Sequence, residues 1–335
     1  MIHTLKSVGG MVVAPHHLAA QAGRDVLRSG GNAVEAMVAA AAAIAVTYPH
    51  MNAIGGDGFW LIHEPGKEPV AIDACGPAAQ RASTDFYSGH SAIPSRGPAA
   101  ALTVAGTVSG WARALEISAS WGGKFSVADL LADAIRHAEN GVTVSASQSA
   151  LTHQKFDGLV NCPGFASTFL VCGEPPAPGY LLRQPALANT LRELARRGLD
   201  DFYRGDLAVR MAAELERVGS PLQLDDLRRY QAQVVKPLSV RLKDSSVYNL
   251  PPPTQGLSAL MILGLFDALS VEEGEGYAHL HALVEATKRA FLVRDRVVTD
   301  PQRLAVDPAQ FLQPHALTAL AAEVKPDRAM PWPQP

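Results

Sequence analysis

The chain has 335 residues, of which 47% are hydrophobic and 18% charged, and its formal net charge is −3. This composition is typical of a globular protein and excludes a largely disordered chain. The 29 basic and 32 acidic residues are interspersed and form no basic stripe. We therefore expect no nucleic-acid partner and a protein that acts on small molecules.

The amino-terminal residues lack the basic and apolar regions of a secretory signal, and the longest apolar run, residues 37–46, is about half of what spans a bilayer. We expect a cytoplasmic protein with no membrane partner, although a signal peptide removed earlier would change that expectation. Cys75, Cys162 and Cys172 show no CxxC spacing, which argues against a disulfide framework and a zinc site. We expect neither a metal nor a cofactor.

The first hundred residues alternate between helical and strand patterns. A short strand at 11–14 is followed by an amphipathic helix at 17–28 and, after a cap at Asn32, by a helix at 33–46 that is apolar on every side and must be buried. A glycine-rich turn at 52–58, expected to need positive φ at several glycines, leads into strands at 59–63 and 70–74. This order predicts a layered α/β fold.

The rest of the chain is predicted to be mainly helical, with no internal repeat and no linker that would separate independent domains. The proline-rich residues 325–335 suit neither helix nor sheet, so we expect a flexible tail. The further predicted helices cover about 107–121, 127–139, 185–197, 207–218, 225–231, 257–269 and 277–294, and the further strands cover 238–242 and 246–250.

No segment carries a convincing catalytic motif. The turn at 52–58 lacks the Lys-Ser/Thr of a P-loop and the GxGxxG spacing of a dinucleotide fold, and a strand follows it. In residues 106–110 the serine stands one position late for a nucleophile elbow, so we interpret Thr107 as lying near the start of a helix. His279 and His281 stand two apart on a predicted helix and point in different directions, which disfavours a metal pair.

Several segments, taken together, resemble the γ-glutamyltransferase family of N-terminal-nucleophile hydrolases. They occur in the family's order and spacing between residues 9 and 305. The matching segments are 10–14, 30–34, 49–50, 55–59, 71–73, 106–108, 201–205, 226–227, 251–253, Glu285-Ala286 with Lys288, and 300–301.

The resemblance implies a four-layer αββα sandwich of the α/β (α+β) class that a second chain completes. Such proteins are made as a precursor that cleaves itself, so residues 1–335 would be the large subunit, with the flexible tail at 325–335 just before the cut. The small subunit would begin with a threonine whose hydroxyl is the nucleophile and whose α-amine is the base. We therefore expect no catalytic residue in this chain, and a heterodimer or a dimer of heterodimers.

The resemblance also bears on the substrate. In the transferases an arginine that binds the γ-glutamyl carboxylate follows two residues after Ala-Ile-Asp, whereas here Ala71-Ile72-Asp73 leads to Ala74 and Cys75. A thiol cannot replace a guanidinium, and an unpaired buried carboxylate costs about 2–5 kcal/mol. The chain is similar instead to the oxamate amidohydrolase branch, which hydrolyses oxamate to oxalate and ammonia and implies a place in urate breakdown.

Four residues are candidates for substrate binding: Cys75, Arg81, Thr254 and Gln255. Arg81, like Arg96, would have to reach the site through a folded-back loop, and a solvated arginine is the simpler interpretation of either. Thr254 and Gln255 follow a rigid proline run that either lines the pocket or forms a structural corner. Two other functions stay open: a γ-glutamyl hydrolase or transferase acting on glutathione-like compounds, and a catalytically inactive binding relative.

Overall fold

The computed structural model describes residues 4–332 and combines helices with short strands. The helices are α1 His17–Arg28, α2 Ala33–Thr47, α3 Thr107–Ser120, α4 Val127–Asn140, α5 Ala146–Leu159, α6 Phe165–Phe169, α7 Pro185–Arg197, α8 Asp201–Arg204, α9 Asp206–Val218, α10 Leu224–Arg229, α11 Gly256–Ala268, α12 Tyr277–Val297 and α13 Pro314–Ala322. The strands are β1 Gly58–Ile62, β2 Val70–Ala74, β3 Val142–Thr143, β4 Leu181–Leu182, β5 Gln233–Val235, β6 Leu238–Arg241 and β7 Ser246–Asn249.

The chain divides into two compact units. Unit 1 contains the residues up to Gly58 together with residues 74–233, and unit 2 contains residues 59–73 together with those from Val234 onward. Within residues 4–332, no helix combines the length and the apolar character needed to cross a lipid bilayer.

The core of unit 1 is built around the buried helix α2. Asn32 Oδ1 accepts hydrogen bonds from the N–H groups of Val34 and Glu35, and the Glu35 carboxylate accepts one from the Asn32 N–H, which is a complete capping box. Helix α1 packs on one side of α2 and α4 on another. A Cβ on Gly23 of α1 would lie 2.8 Å from the Ala36 carbonyl oxygen, so only glycine allows this close approach of α1 to α2.

Unit 2 joins a three-stranded sheet, in the order β1-β2-β5, with the antiparallel hairpin β6–β7 and three helices. Its core is formed by side chains from α11, α12, α13 and β6. A Cβ on Gly264 of α11 would lie 2.7 Å from Leu317 of α13 and 2.9 Å from Val240 of β6. The glycine therefore lets helix and hairpin pack closely around α11.

Most of the predicted elements are confirmed within two or three residues, including α1, the cap at Asn32, β2 and α7. The strand predicted at 11–14 is wrong. Those residues belong to no helix or strand and pair with no strand among residues 4–332, and a strand needs a partner for its hydrogen bonds.

The predicted elements omit two helices of nine or more residues and several shorter elements, and the expectation for one turn is wrong. Helix α5 was not predicted because its sequence is rich in Ser, Thr, Gln and His and has little apolar periodicity; Ser145, whose Oγ accepts from the Gln148 N–H, caps it. Helix α13 was also missed, and Pro314 occupies its first position. None of Gly55, Gly56 and Gly58 has a positive φ, so the expectation for that turn is wrong.

Candidate functional site

The glycine-rich turn at 52–58 is fastened to the first residues of α3. The N–H groups of Gly106 and Thr107 each donate to the Gly56 carbonyl oxygen at 2.9 Å. The Thr107 hydroxyl lies 2.9 Å from the same oxygen and 2.8 Å from the Asp57 carbonyl oxygen. Thr107 thus begins a helix, as predicted, and its hydroxyl stabilises the turn.

Cys75 follows β2 on a tightly packed stretch of backbone. A Cβ on Gly76 would lie 1.7 Å from the Val104 carbonyl oxygen, and one on Gly106 would lie 1.8 Å from the Ala74 carbonyl oxygen. Real side chains do not approach backbone this closely, so only glycine fits at either position. Cys75 itself is half-buried. Its thiol therefore lies on a closely packed stretch of backbone.

The buried side chain of Tyr203, in α8, forms hydrogen bonds with the backbone at the start of α3. Its hydroxyl donates to the Ala105 carbonyl oxygen at 2.8 Å and accepts from the Ser109 N–H at 2.9 Å. Burial raises the pKa of Tyr203, so the phenol stays neutral and remains a donor. Ser109 Oγ in turn accepts from the Ala232 N–H at 2.8 Å. The sequence marked residues 201–205 only as a motif of resemblance and did not indicate this bracing role.

Asp226 anchors the chain that follows Cys75. Its buried carboxylate accepts hydrogen bonds from the Gln80 N–H at 3.0 Å and from the Gln223 N–H at 2.9 Å. Arg81, which follows Gln80 in the chain, is exposed, and its guanidinium carbon lies 6.0 Å from the centroid of the Phe86 ring. This is a cation–π contact at the surface. A role for Arg81 in substrate binding stays a prediction.

Thr254 and Gln255 form the corner that begins α11. The Thr254 hydroxyl lies 3.0 Å from the Leu250 carbonyl oxygen and accepts from the Gly256 N–H at 3.0 Å. Gln255 Oε1 accepts from Arg294 Nη1 at 3.2 Å. Both polar side chains are thus engaged in unit 2, as in the structural-corner interpretation. Contact of either residue with substrate stays a prediction, as it does for Cys75.

A cluster of charged side chains lies on α12, in unit 2. The Glu285 carboxylate is 1% exposed and accepts from Lys288 Nζ at 2.8 Å, from Arg289 Nη1 at 2.8 Å and from the Met330 N–H at 3.1 Å. Burial opposes its charge, but the hydrogen bonds from the two cations prevail and lower the pKa of Glu285. Lys288 Nζ also donates to the Met330 carbonyl oxygen at 2.8 Å. The Glu285 carboxylate and the Lys288 ammonium therefore bind the main-chain N–H and carbonyl groups of Met330.

The tail predicted to be flexible contains Met330, so part of it is held by these contacts. Lys325 and Arg328 also form an isolated bridge with each other. Residues 333–335 lie outside the described residues, and the flexibility of the tail stays a prediction. In the described part of the chain, residues 4–332, no three His, Cys, Asp or Glu side chains are grouped so that they could hold a metal ion.

Proteins of known sequence resemble this chain over nearly its whole length. The family Gamma-glutamyltranspeptidase matches residues 19–335. The oxamate amidohydrolase proenzyme of Klebsiella pneumoniae is 53% identical over 327 residues, which are 97% of this chain and 62% of that protein. The glutathione hydrolase-like YwrD proenzyme of Bacillus subtilis is 39% identical over 326 residues, which are 95% of this chain and 61% of that protein. The chain thus spans less than two thirds of either relative.

A solved structure shows the same arrangement of elements. The γ-glutamyltranspeptidase from Pseudomonas nitroreducens, complexed with L-DON, superposes with a TM-score of 0.87 at 31% identity. The match covers 97% of this chain and 97% of that one. The two chains therefore share one fold, and the predicted mixed fold class is confirmed.

Proposed function

Because the chain belongs to the γ-glutamyltranspeptidase family, we propose that it is the large subunit of an amidohydrolase made as a self-cleaving precursor. Two of its relatives are proenzymes, and each extends well beyond the length of this chain. The hydroxyls of Thr107 and Ser109, in the site region, bond to the protein's own backbone. This agrees with a nucleophile supplied by the part of the precursor that lies beyond this chain. The partner would be the small subunit from the same precursor.

The proposed reaction proceeds through an acyl-enzyme. The hydroxyl of the small subunit's first threonine attacks the amide carbonyl while its α-amine accepts the proton. The carbon–nitrogen bond breaks, ammonia leaves with that proton, and an ester joins the acyl group to the threonine. Water then hydrolyses the ester and restores the hydroxyl. The turn at 52–58, fastened to α3, and the braced start of α3 would form part of the large subunit's contribution to the pocket.

Oxamate is the proposed substrate, and Cys75 is the observation that carries this choice. The transferases carry an arginine at this position, and the Cys75 thiol cannot take over the role of a guanidinium. Oxamate carries its carboxylate next to the scissile carbonyl, so its clamp belongs close to the threonine. The 53% identity with an oxamate amidohydrolase proenzyme points the same way.

The second candidate is a γ-glutamyl hydrolase that holds the substrate carboxylate by other residues. It is favoured by the 39% identity with a glutathione hydrolase-like proenzyme. It predicts turnover of γ-glutamyl-p-nitroanilide, which an oxamate-specific enzyme would not show.

The test uses the complete gene product. After expression, two bands on a denaturing gel and a threonine at the start of the smaller chain are expected. Ammonia release is then measured from oxamate, with γ-glutamyl-p-nitroanilide as the matched alternative. An uncleaved protein, or a small chain that begins with neither Thr nor Ser, would refute the enzymatic function. Cleavage with turnover of the γ-glutamyl compound alone would agree with the family but would refute oxamate as the substrate.

A further inference from the structure

One face of helix α5 forms a wall of a cavity of about 430 Å³ inside unit 1. The lining residues of α5 follow the spacing of a single helical stripe: Gln148, Leu151, Thr152, Lys155 and Leu159. Phe165 and Phe169 of α6 line it as well, with ring centroids 5.7 Å apart. The volume falls within the range of pockets that bind small organic ligands.

A buried polar atom without a partner lies at this cavity. Gln148, one of the lining residues, is only 5% exposed. His50, another lining residue, has a buried Nδ1 that finds no partner among residues 4–332. Buried polar groups in folded proteins are nearly always hydrogen-bonded. The unpartnered Nδ1 of His50 is an exception, and it points to a polar occupant of the cavity.

The charges at the cavity are all of one sign. Arg96 and Lys155 line it, and no Asp or Glu does. Within residues 4–332, neither cation lies within 4.0 Å of a carboxylate. Arg96 lies against Gly158 of α5, where a Cβ would be 3.2 Å from its Cδ and Nε. The glycine thus leaves space for Arg96 to lie close to the helix.

We propose that this cavity binds an organic monoanion with an apolar body, of the class of aryl- or alkyl-substituted carboxylates. The guanidinium of Arg96 would bind the carboxylate, with Lys155 adding charge and Gln148 a hydrogen bond. Phe165, Phe169 and the two leucines of α5 would cover the apolar body. Oxamate has no apolar part and is far smaller than the cavity, so the ligand is a further one. The proposal does not depend on the proposed reaction, because binding is measured without turnover.

The test is isothermal titration calorimetry on the complete, processed protein with phenylacetate as the probe. We expect one saturable site. The alcohol 2-phenylethanol and the cation phenethylamine have a similar apolar body but no negative charge. Because hydrogen bonds to an ionised group are about twice as strong as neutral ones, both should bind at least roughly tenfold more weakly. Absence of a saturable site, or equal binding of the alcohol, would overturn the proposal.

Variants locate the site. Arg96→Ala should weaken phenylacetate binding by roughly ten- to a hundredfold, as expected for the loss of a charge-assisted hydrogen bond, and Lys155→Ala by less. Arg196→Ala removes an exposed arginine of the same unit and should bind as the wild type does. Circular dichroism and melting temperature establish folding; if Arg96→Ala does not fold, Lys155→Ala and Gln148→Leu decide. Unchanged binding in all folded cavity variants would refute the site.

Discussion

Glu285 and Met330 are joined by a hydrogen bond of 3.1 Å between a buried carboxylate and a main-chain N–H. Lys288 completes the contact from the other side, since its Nζ lies 2.8 Å from both Glu285 Oε1 and the Met330 carbonyl oxygen. Arg289 supplies a further bond to the carboxylate, so the charge remains compensated where it is buried. Met330 is thus held to α12 through its main-chain N–H and carbonyl groups, so these contacts do not depend on the side chain at this position.

Lys288→Met is expected to loosen this segment. The variant loses the donor to the Met330 carbonyl oxygen but leaves the Glu285–Arg289 pair in place, so the free energy of unfolding should fall by about 1–2 kcal/mol. Hydrogen–deuterium exchange should show faster exchange in residues 324–332. Because the proposed cut follows this segment, the precursor should also be cleaved more slowly. Lys243→Met, at an exposed lysine of unit 2, serves as the control, and equal exchange in both variants would contradict the expectation.

Acid should release the same contact. The pKa of Glu285 is lowered from its ordinary value of 4.5, so its stabilising contribution is complete above about pH 4.5 and is lost as the pH falls through the lower value in the folded protein. The protection of residues 324–332 against exchange, taken relative to the intrinsic rate at each pH, should therefore fall below pH 4.5. In Glu285→Gln, which does not titrate, this acid dependence should be weaker; the same loss of protection in the variant would assign it to another group.

Tyr203→Phe should destabilise unit 1. The substitution leaves the Ser109 N–H and the Ala105 carbonyl oxygen without their buried partner, which costs about 1–3 kcal/mol. Chemical denaturation followed by circular dichroism measures the change. Tyr277→Phe, at an exposed tyrosine, should differ little from the wild type. A loss of equal size in the two variants would show that the Tyr203 hydroxyl does not brace α3.

Gly106→Ala should be more harmful than an ordinary glycine substitution. Its Cβ would lie 1.8 Å from the Ala74 carbonyl oxygen, so the backbone on both sides of the contact must move, at a cost on the order of 4 kcal/mol or more. Gly89→Ala is the matched control because no atom lies within 4 Å of its Cβ position. Melting temperatures compare the two, and a stable Gly106→Ala protein would show that the contact yields easily.

Cys75→Arg tests the reason for the substrate assignment. Restoring the guanidinium expected in a γ-glutamyl enzyme should give measurable hydrolysis of γ-glutamyl-p-nitroanilide and reduce oxamate turnover by at least roughly tenfold, since a charged clamp is worth several kcal/mol. Cys75→Ser changes the same position without adding charge and should retain oxamate turnover. If Cys75→Arg folds and keeps the wild-type preference, the residue does not determine specificity.

The local elements of this protein are determined by its sequence. The helix at His17–Arg28 and the cap at Asn32 depend on residues within a few positions of one another, so spacing alone predicts them. The resemblance in residues 9–305 likewise identified the family, and it predicts a nucleophile on a second chain. Helix α5 and its cavity-lining face were not predicted, because helical periodicity is recognised from apolar residues and the sequence of α5 is polar.

Only the tertiary structure decided which of the candidate residues are engaged, and by what. Glu285 meets Met330 across 45 positions and Tyr203 meets Ser109 across 94, and no local pattern predicts contacts that depend on how the whole chain folds. The same holds for Gln255, whose side chain bonds to Arg294 of α12 across 39 positions. Sequence determined what each segment prefers to form. Burial and long-range hydrogen bonding determined what each polar side chain does.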